Sequence, residues 1–187
     1  MKPKFAISLA HLPLKPSTPR ILLAIMQASH DKGITEFIAH LSLRGPFYLI
    51  ANGNGLPDQD GLRRSVRRHT VRVNETLDHI TLGRPATCLQ LRDQLVNADL
   101  QPYPIFVLNF LHHFYDPDVD LSLRQRVLGE CCRLIKHLSS SKSVVVLIQS
   151  LPTEEYRQFY PSLASIADEI VEAVADSPVE TLQLSLL

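Results

Sequence analysis

The sequence has no excess of charge of either sign, few cysteines and no long hydrophobic run. Lys+Arg and Asp+Glu number 19 each among 187 residues, so no field of one sign steers the molecule toward nucleic acid or an anionic membrane. The three cysteines, Cys88, Cys131 and Cys132, are odd in number and suit a reducing cytoplasm. The apolar runs are far shorter than the roughly 18 residues of a membrane span. We therefore expect a cytoplasmic protein with no membrane partner, in which any anion site is local.

The remaining composition is that of a folded domain. With 45% apolar and 20% charged residues, the chain can bury a core, which excludes disorder, collagen-like repeats and a small disulfide scaffold. The first 19 residues contain Pro13, Pro16 and Pro19 and no cleavage pattern. We expect a disordered or draped proline-rich arm over residues 1–19 and a single domain over residues 20–187.

Continuous apolar runs alternate with amphipathic segments along the chain. Such runs are typical of parallel strands buried on both faces, and amphipathic segments are typical of the helices that cover them. The pattern predicts an α/β fold with three α/β/α layers and a mostly parallel central sheet. The predicted strands are 21–26, 47–51, 80–82, 105–110 and 144–148, and the predicted helices run from about 33 to 45, 58 to 69, 88 to 96 and 123 to 138. Residues 150–165 are predicted to be irregular, and residues 168–174 and 181–187 to form edge strands or a terminal hairpin.

The loop after the first of these strands is where an α/β sheet binds phosphate. A phosphate-binding loop reads G-x-x-x-x-G-K-[ST], with a lysine for the terminal phosphates and a hydroxyl for Mg²⁺. Gly33 and Thr35 fit this pattern, but Ala28 replaces the first glycine and Ile34 replaces the lysine. Lys32, two positions earlier, would project in a different direction. This vestigial loop lacks the charge that nucleotide phosphates require.

Several short stretches in a fixed order carry a family resemblance. They are the strand, loop and helix just described, the segment 43–46 before the second strand, 53–54 after it, the segment HITL at 79–82 leading to 84–91, IFVLNF at 105–110 followed by 114–116, and the long helix before VVVLIQ. Over residues 20 to 175 the chain resembles the RecA/RadA recombinases and, more closely, their small single-domain relatives. The resemblance implies a RecA-like P-loop fold.

The resemblance also implies where charged catalytic groups should lie. The family's Walker B aspartate, which holds the water shell of Mg²⁺, corresponds to Asn109, and its general-base glutamate corresponds to Asn52 within one residue. Phosphoryl transfer depends on positioning and electrostatic stabilisation, so loss of the lysine, aspartate and glutamate should abolish most of the rate enhancement. We expect no catalytic residues and no cofactor, with ATP and Mg²⁺ as the less favoured alternative.

These observations predict a catalytically inactive RecA-like paralogue that is an accessory protein in DNA recombination or repair. Its partner would be DNA, a RecA-type recombinase or a second copy of itself. One alternative is a nucleotide-binding ATPase that uses Lys32 with Asp116 or Asp118. Another is an oligomerisation scaffold unrelated to DNA.

One local basic patch stands out in this neutral chain. It comprises Arg63, Arg64, Arg67, Arg68, His69 and Arg72, and on a helix Arg64, Arg67 and Arg68 share a face. It is either a contact surface for a nucleic-acid backbone or an acidic partner, or a solvated helix face paired with nearby carboxylates.

A second candidate contact is the segment 149–165, which contains Tyr156, Arg157, Phe159 and Tyr160. In recombinases the corresponding loop helps to hold single-stranded DNA, and aromatic and cationic side chains together suit stacking on bases. The opposing interpretation is that the aromatic residues anchor the loop in the core.

Two further groups are interpreted structurally. His112 and His113, near Asp116, would point to opposite faces of an extended segment and would not share a metal ion. The three cysteines lie on or beside apolar helix faces, which is typical of small buried hydrophobic residues. We expect no metal site among these residues.

Overall fold

A parallel sheet organises the chain. The computed structural model describes residues 6–8, 20–26, 31–51, 56, 58–149 and 154–174. Its strands are β1 (Ala6–Ser8), β2 (Ile21–Met26), β3 (Phe47–Ile50), β4 (Ile80–Gly83), β5 (Ile105–Val107), β6 (Val144–Gln149) and β7 (Glu169–Val174). They form one sheet in the order β1-β7-β2-β6-β5-β3-β4, and every pair is parallel. The predicted parallel α/β fold is confirmed.

Helices cover both faces of this sheet. They are α1 (Asp31–Arg44), α2 (Gln59–His69), α3 (Val73–Leu77), α4 (Cys88–Ala98), α5 (Leu121–Leu138) and α6 (Glu154–Ala164), with a 3₁₀ helix at Phe110–Phe114. Alternate residues along each strand point to opposite faces, so Ile21 packs with α4, α5 and α6 while Leu22 packs with α1. Both faces are apolar because both are covered, which explains the continuous hydrophobic strands.

The direction of each connection decides which face a helix covers. The connections from β2 to β3 and from β3 to β4 cross the sheet toward its β4 edge, and their helices α1 and α2 lie on one face. The connections from β4 to β5, from β5 to β6 and from β6 to β7 cross the sheet in the opposite direction, and their helices α4, α5 and α6 lie on the other face. Crossovers of a single hand require this division. Because β2 and β6 are neighbours whose helices leave to opposite faces, their carboxyl ends flank the crevice where ligands bind in such sheets.

The boundaries of α1 and α4 follow local sequence signals. The predicted end of α1 is confirmed, since Gly45 follows its last residue with φ +133°, a conformation that suits glycine. Thr87 caps α4, because its hydroxyl accepts a hydrogen bond from the Gln90 amide at 3.3 Å.

The structure corrects two predicted elements in the middle and the last third of the chain. The third long strand ends at Val107 rather than residue 110, because Asn109 adopts the left-handed conformation (φ 51°, ψ 41°) and the 3₁₀ helix follows. The segment predicted to be irregular contains α6, whose Phe159 and Leu163 are buried one turn apart despite Pro161 within the helix. That proline masked the helical pattern.

The predicted edge strand and proline-rich arm also differ from the structure. The strand β7 lies inside the sheet, between β1 and β2, rather than at its edge. It is interior because Ala6–Ser8, within the expected arm, forms the edge strand β1 in register with Glu172 to Val174. The predicted strand at 181–187 lies outside the described residues.

No helix in the described part of the chain is both long and apolar enough to cross a membrane.

One lysine ties the end of α4 to the start of β6. Lys142 Nζ donates hydrogen bonds to the carbonyl oxygens of Ala98 (3.2 Å), Asp99 (3.1 Å) and Gln101 (2.6 Å). The last carbonyls of a helix lack partners within the helix, and a cation there also interacts favourably with the helix dipole. Lys142 is therefore a C-terminal cap supplied by a distant segment.

Replacing Lys142 with methionine should lower the free energy of unfolding by about 1–2 kcal/mol, because three carbonyls lose a charged donor while the aliphatic stem remains. The measurement is urea unfolding of the full chain. Lys136→Met, at an exposed site in the last turn of α5, is the matched control and should change stability by less than about 0.5 kcal/mol. Equal losses in both variants would contradict the cap.

Candidate nucleic-acid interface

The basic helix α2 begins at a strong N-terminal cap. The Asp58 carboxylate accepts hydrogen bonds from the backbone amides of Asp60 at 3.0 Å and Gly61 at 2.8 Å. These two hydrogen bonds, with a smaller contribution from nearby Arg64, lower the pKa of Asp58. The cap fixes the start of the helix and therefore which residues face the core.

The buried side of α2 places its arginines at the surface. Ser65 and Val66 are buried, whereas the arginines at 63, 64, 67 and 68 are exposed. The predicted helical patch therefore exists as an exposed surface.

Carboxylates neutralise part of this patch. Arg64 pairs with Asp58 at 3.7 Å, Arg68 forms a close ion pair with Glu36 of α1, and Arg72 pairs with Glu75 at 3.8 Å. Such exposed pairs contribute little stability, but they compensate charge. Three of the five predicted arginines, two on α2 and one just before α3, therefore have a carboxylate partner.

The positive charges of two arginines are not neutralised by a carboxylate partner among the described residues. Arg63 Nη1 donates to the neutral amide oxygen of Asn74 at 3.1 Å. Arg67 has no ion-pair or hydrogen-bond partner among the residues that the structure describes. The unneutralised charge of the patch is therefore concentrated at these two positions.

Both arginines line an open hollow between α2 and α3, which we call the arginine hollow. Its volume is about 650 Å³, and its charged lining residues are Arg63, Arg67, Arg72 and Glu75. Val71, at its rim, is 98% exposed. Three cations against one carboxylate give this surface a positive balance, and an open, shallow shape suits an extended anion better than an enclosed small ligand.

The second predicted contact region differs from the expectation. It forms α6, on the opposite face of the sheet from α2. Arg157 is exposed and pairs with Glu154 at 3.7 Å, and Phe159 is buried against Phe114 and Tyr115. Tyr160 is partly buried, and this burial raises its pKa. Phe159 is thus a core anchor, and the structure does not bring Arg157 together with the arginines of α2.

For Tyr156, the structure describes the backbone within α6 but not the side chain. A stacking role for that ring stays a prediction.

The phosphate-loop positions that the structure describes lie at the start of α1, the helix that follows β2 in the chain. Gly33 and Thr35 are partly buried within α1, whereas Ile34 is buried in the apolar cluster beneath that helix. The position predicted to correspond to the phosphate-loop lysine is therefore occupied by a core residue. Ala28 lies outside the described residues, as does the side chain of Lys32.

Asn109 lies two residues beyond the last residue of β5. Its left-handed backbone is one that asparagine tolerates better than most residues. Its Oδ1 atom is buried and has no hydrogen-bond partner in the described part of the chain. The general-base position, Asn52, lies outside the described residues.

The histidine pair lies on the 3₁₀ helix rather than on the extended segment that was predicted. His112 is exposed and His113 is buried, so the two rings still point apart. Neither ring nitrogen of His113 has a hydrogen-bond partner among the described residues. Burial, with a smaller contribution from His112, lowers the pKa of His113 to about 4.

The cysteines are free and buried, as predicted. Burial raises the pKa of Cys132 to about 11 and raises the pKa values of Cys88 and Cys131 as well. Thiols of this kind are inert hydrophobic residues rather than nucleophiles.

Sequence reasoning missed Glu36. This α1 carboxylate forms the ion pair with Arg68 and accepts a hydrogen bond from Ser65 Oγ at 2.7 Å. The available signal was its spacing from His40, four residues later on the same helix.

Replacing His113 with phenylalanine should flatten the pH dependence of stability. An ordinary histidine titrates near pH 6.5 in the unfolded chain, whereas the folded pKa is about 4. Between these values only the unfolded state binds the proton, so the free energy of unfolding is highest above pH 6.5 and falls toward pH 4. This loss should amount to about 3 kcal/mol in the parent.

The measurement is urea unfolding at several pH values between 4 and 7.5. At neutral pH the His113→Phe protein should be destabilised by less than about 1 kcal/mol, because no hydrogen bond within the described residues is lost. His112→Phe, at the exposed neighbour, should keep most of the pH dependence of the parent, because it removes only the smaller of the two causes that lower the pKa of His113. A His113→Phe protein with the parental pH dependence would show that His113 titrates normally.

Comparison with known proteins adds no family assignment. No protein-family model matches this chain, and no curated protein matches it by sequence.

Proposed function

We propose that this chain is a RecA-like protein without ATP hydrolysis that acts as an accessory in DNA recombination or repair by binding the DNA backbone. The observation that carries the proposal is the arginine hollow, in which Arg63 and Arg67 keep their charge at an open surface. The RecA-like part of the proposal rests on the resemblance of residues 20 to 175 to the RecA/RadA recombinases.

Phosphate is the ligand that this surface suits best. A guanidinium presents several N–H donors in a plane and binds phosphate oxygens in a bidentate manner. Arg63 is held by a neutral amide, so binding a phosphate does not require breaking an ion pair, and Arg67 is available at the same surface. Phosphate contacts position a protein on DNA without reading its sequence. We therefore expect binding with little sequence preference.

Two positions support the proposed lack of ATP hydrolysis. Ile34 has an uncharged side chain, and a nucleotide cannot reach it because it is buried on the inner face of α1. Asn109 carries no negative charge with which to hold the water shell of Mg²⁺. Catalysis of phosphoryl transfer consists largely of electrostatic stabilisation by such groups.

Reversing both charges in the double variant Arg63→Glu/Arg67→Glu should weaken DNA binding about tenfold or more, because two phosphate contacts become repulsive. Fluorescence anisotropy with labelled single-stranded and duplex DNA at several salt concentrations measures this. The slope of log affinity against log salt should fall by about two for duplex DNA.

The matched control is Arg126→Glu/Arg133→Glu, which makes the same change in net charge at exposed positions of α5, the helix on the opposite face of the sheet. It should retain most of the parental affinity. Equal losses in both double variants would assign binding to net charge rather than to the hollow. If the parent binds neither form of DNA, the proposal fails and a protein scaffold is favoured.

Restoring the loop lysine should not restore hydrolysis. We expect the parent and Ile34→Lys to hydrolyse Mg-ATP only at background rate, and Ile34→Lys to lose about 2 kcal/mol or more of stability because it replaces a packed core residue with an ammonium group. Phosphate release measures hydrolysis and urea unfolding measures stability, both for the parent and for Ile34→Lys.

Leu43→Lys, at a position of α1 that is 37% exposed, is the control and should be nearly neutral. Hydrolysis by the parent that disappears in Asn109→Ala would overturn the proposal and favour the ATPase alternative. A fully stable Ile34→Lys protein would show that residue 34 does not belong to the core.

A further inference from the structure

Three side chains of the metal-binding types meet between α1 and α2. Glu36 and His40 are one turn apart on α1, and His69 is the last residue of α2. One ligand atom from each lies within 4.8 Å of the other two. Glu36 Oε2 is 3.8 Å from His69 Nε2, and the two imidazole centroids are 4.7 Å apart.

We propose that Glu36, His40 and His69 form a binding site for a divalent transition metal of the zinc class, with the fourth coordination position open to solvent. Two imidazole nitrogens and one carboxylate oxygen form a ligand set that suits Zn²⁺. Magnesium and calcium prefer all-oxygen ligands, so the two histidines disfavour them. The site is separate from the arginine hollow, and the inference does not rest on the proposed function.

The spacing of the ligand atoms requires only a small contraction. Zinc bonds of about 2.0–2.1 Å in a tetrahedron place neighbouring ligand atoms about 3.3 Å apart. The present separations, up to 4.8 Å, exceed this by about 1.5 Å at most, which side-chain rotation can supply. His69 has the freedom to move, because it lies at a helix end and its side chain is 34% exposed.

Outer contacts already orient the carboxylate. The buried Ser65 hydroxyl donates to Glu36 Oε2 at 2.7 Å, and the Arg68 guanidinium donates to Glu36 Oε1. Hydrogen bonds of this kind to a ligating carboxylate are typical of metal sites and fix its direction. The metal would bind Oε2, the oxygen nearer His69, while Arg68 keeps Oε1.

Metal binding would cross-link two helices that belong to different crossovers of the sheet. It would link α1, in the crossover from β2 to β3, to the end of α2, in the crossover from β3 to β4. Because the ligands converge only in the folded protein, bound metal would stabilise the native state by an amount that rises with the logarithm of the ratio of metal concentration to dissociation constant.

The experiment uses the full chain after chelator treatment and desalting. Cobalt(II) is added to report coordination by its visible absorption, and zinc affinity is measured by competition. We expect one tetrahedral cobalt site per chain that zinc displaces. His40→Ala and His69→Ala should each weaken zinc binding by about 100-fold or more.

Two controls separate loss of a ligand from other effects. His137→Ala, at a histidine of α5 paired with Asp99 at 3.7 Å, should bind zinc like the parent. Arg68→Ala breaks the ion pair between α1 and α2 but keeps all three ligands, and it should still bind zinc. Circular dichroism verifies that each variant is folded.

The proposal is overturned if the parent shows no tetrahedral cobalt spectrum, or if either His40→Ala or His69→Ala binds zinc as well as the parent. It is also overturned if Arg68→Ala loses binding as completely as the histidine variants, since loosened helix packing would then explain every loss.

Discussion

The rest of the structure depends on the pairing of β2 with β6 on one side and β7 on the other. Buried apolar residues of these three strands point to both faces of the sheet, so this centre is stable only when helices cover each face. The direction of every connection then determines the face on which its helix lies. As a result, α1 and α2 share one surface with the arginine hollow and the Glu36 cluster, while α6 lies on the other face.

The charge of this surface is set by contacts between helices rather than by the arginines alone. The basic segment has arginines at five positions, but carboxylates from three different places along the chain neutralise three of them. Glu36 has the largest influence, because it comes from α1 and contacts Arg68, Ser65 and His69. What remains is a small positive surface at Arg63 and Arg67 in a chain with no net charge.

Much of the fold could be predicted because burial on two faces leaves a plain signal. Strands such as β2 and β6 are unbroken apolar runs, and α5 repeats its buried residues at helical spacing. Two of the wrong predictions have local causes. Pro161 interrupts the pattern of α6, and the left-handed Asn109 ends β5 early in a run that stays apolar into the 3₁₀ helix. Long-range pairing of Ala6–Ser8 with β7 has no local signal at all.

The sequence by itself determined the parallel α/β class and the basic segment, since these depend on residue type and periodicity. Only the tertiary structure decided that Ile34 is buried and that no carboxylate among the described residues neutralises Arg63 and Arg67. It also decided that Glu36, His40 and His69 lie close together. These depend on which helices pack side by side. Packing partners lie far apart in the chain, and they come together because the sheet order and the direction of each crossover place α1 beside α2.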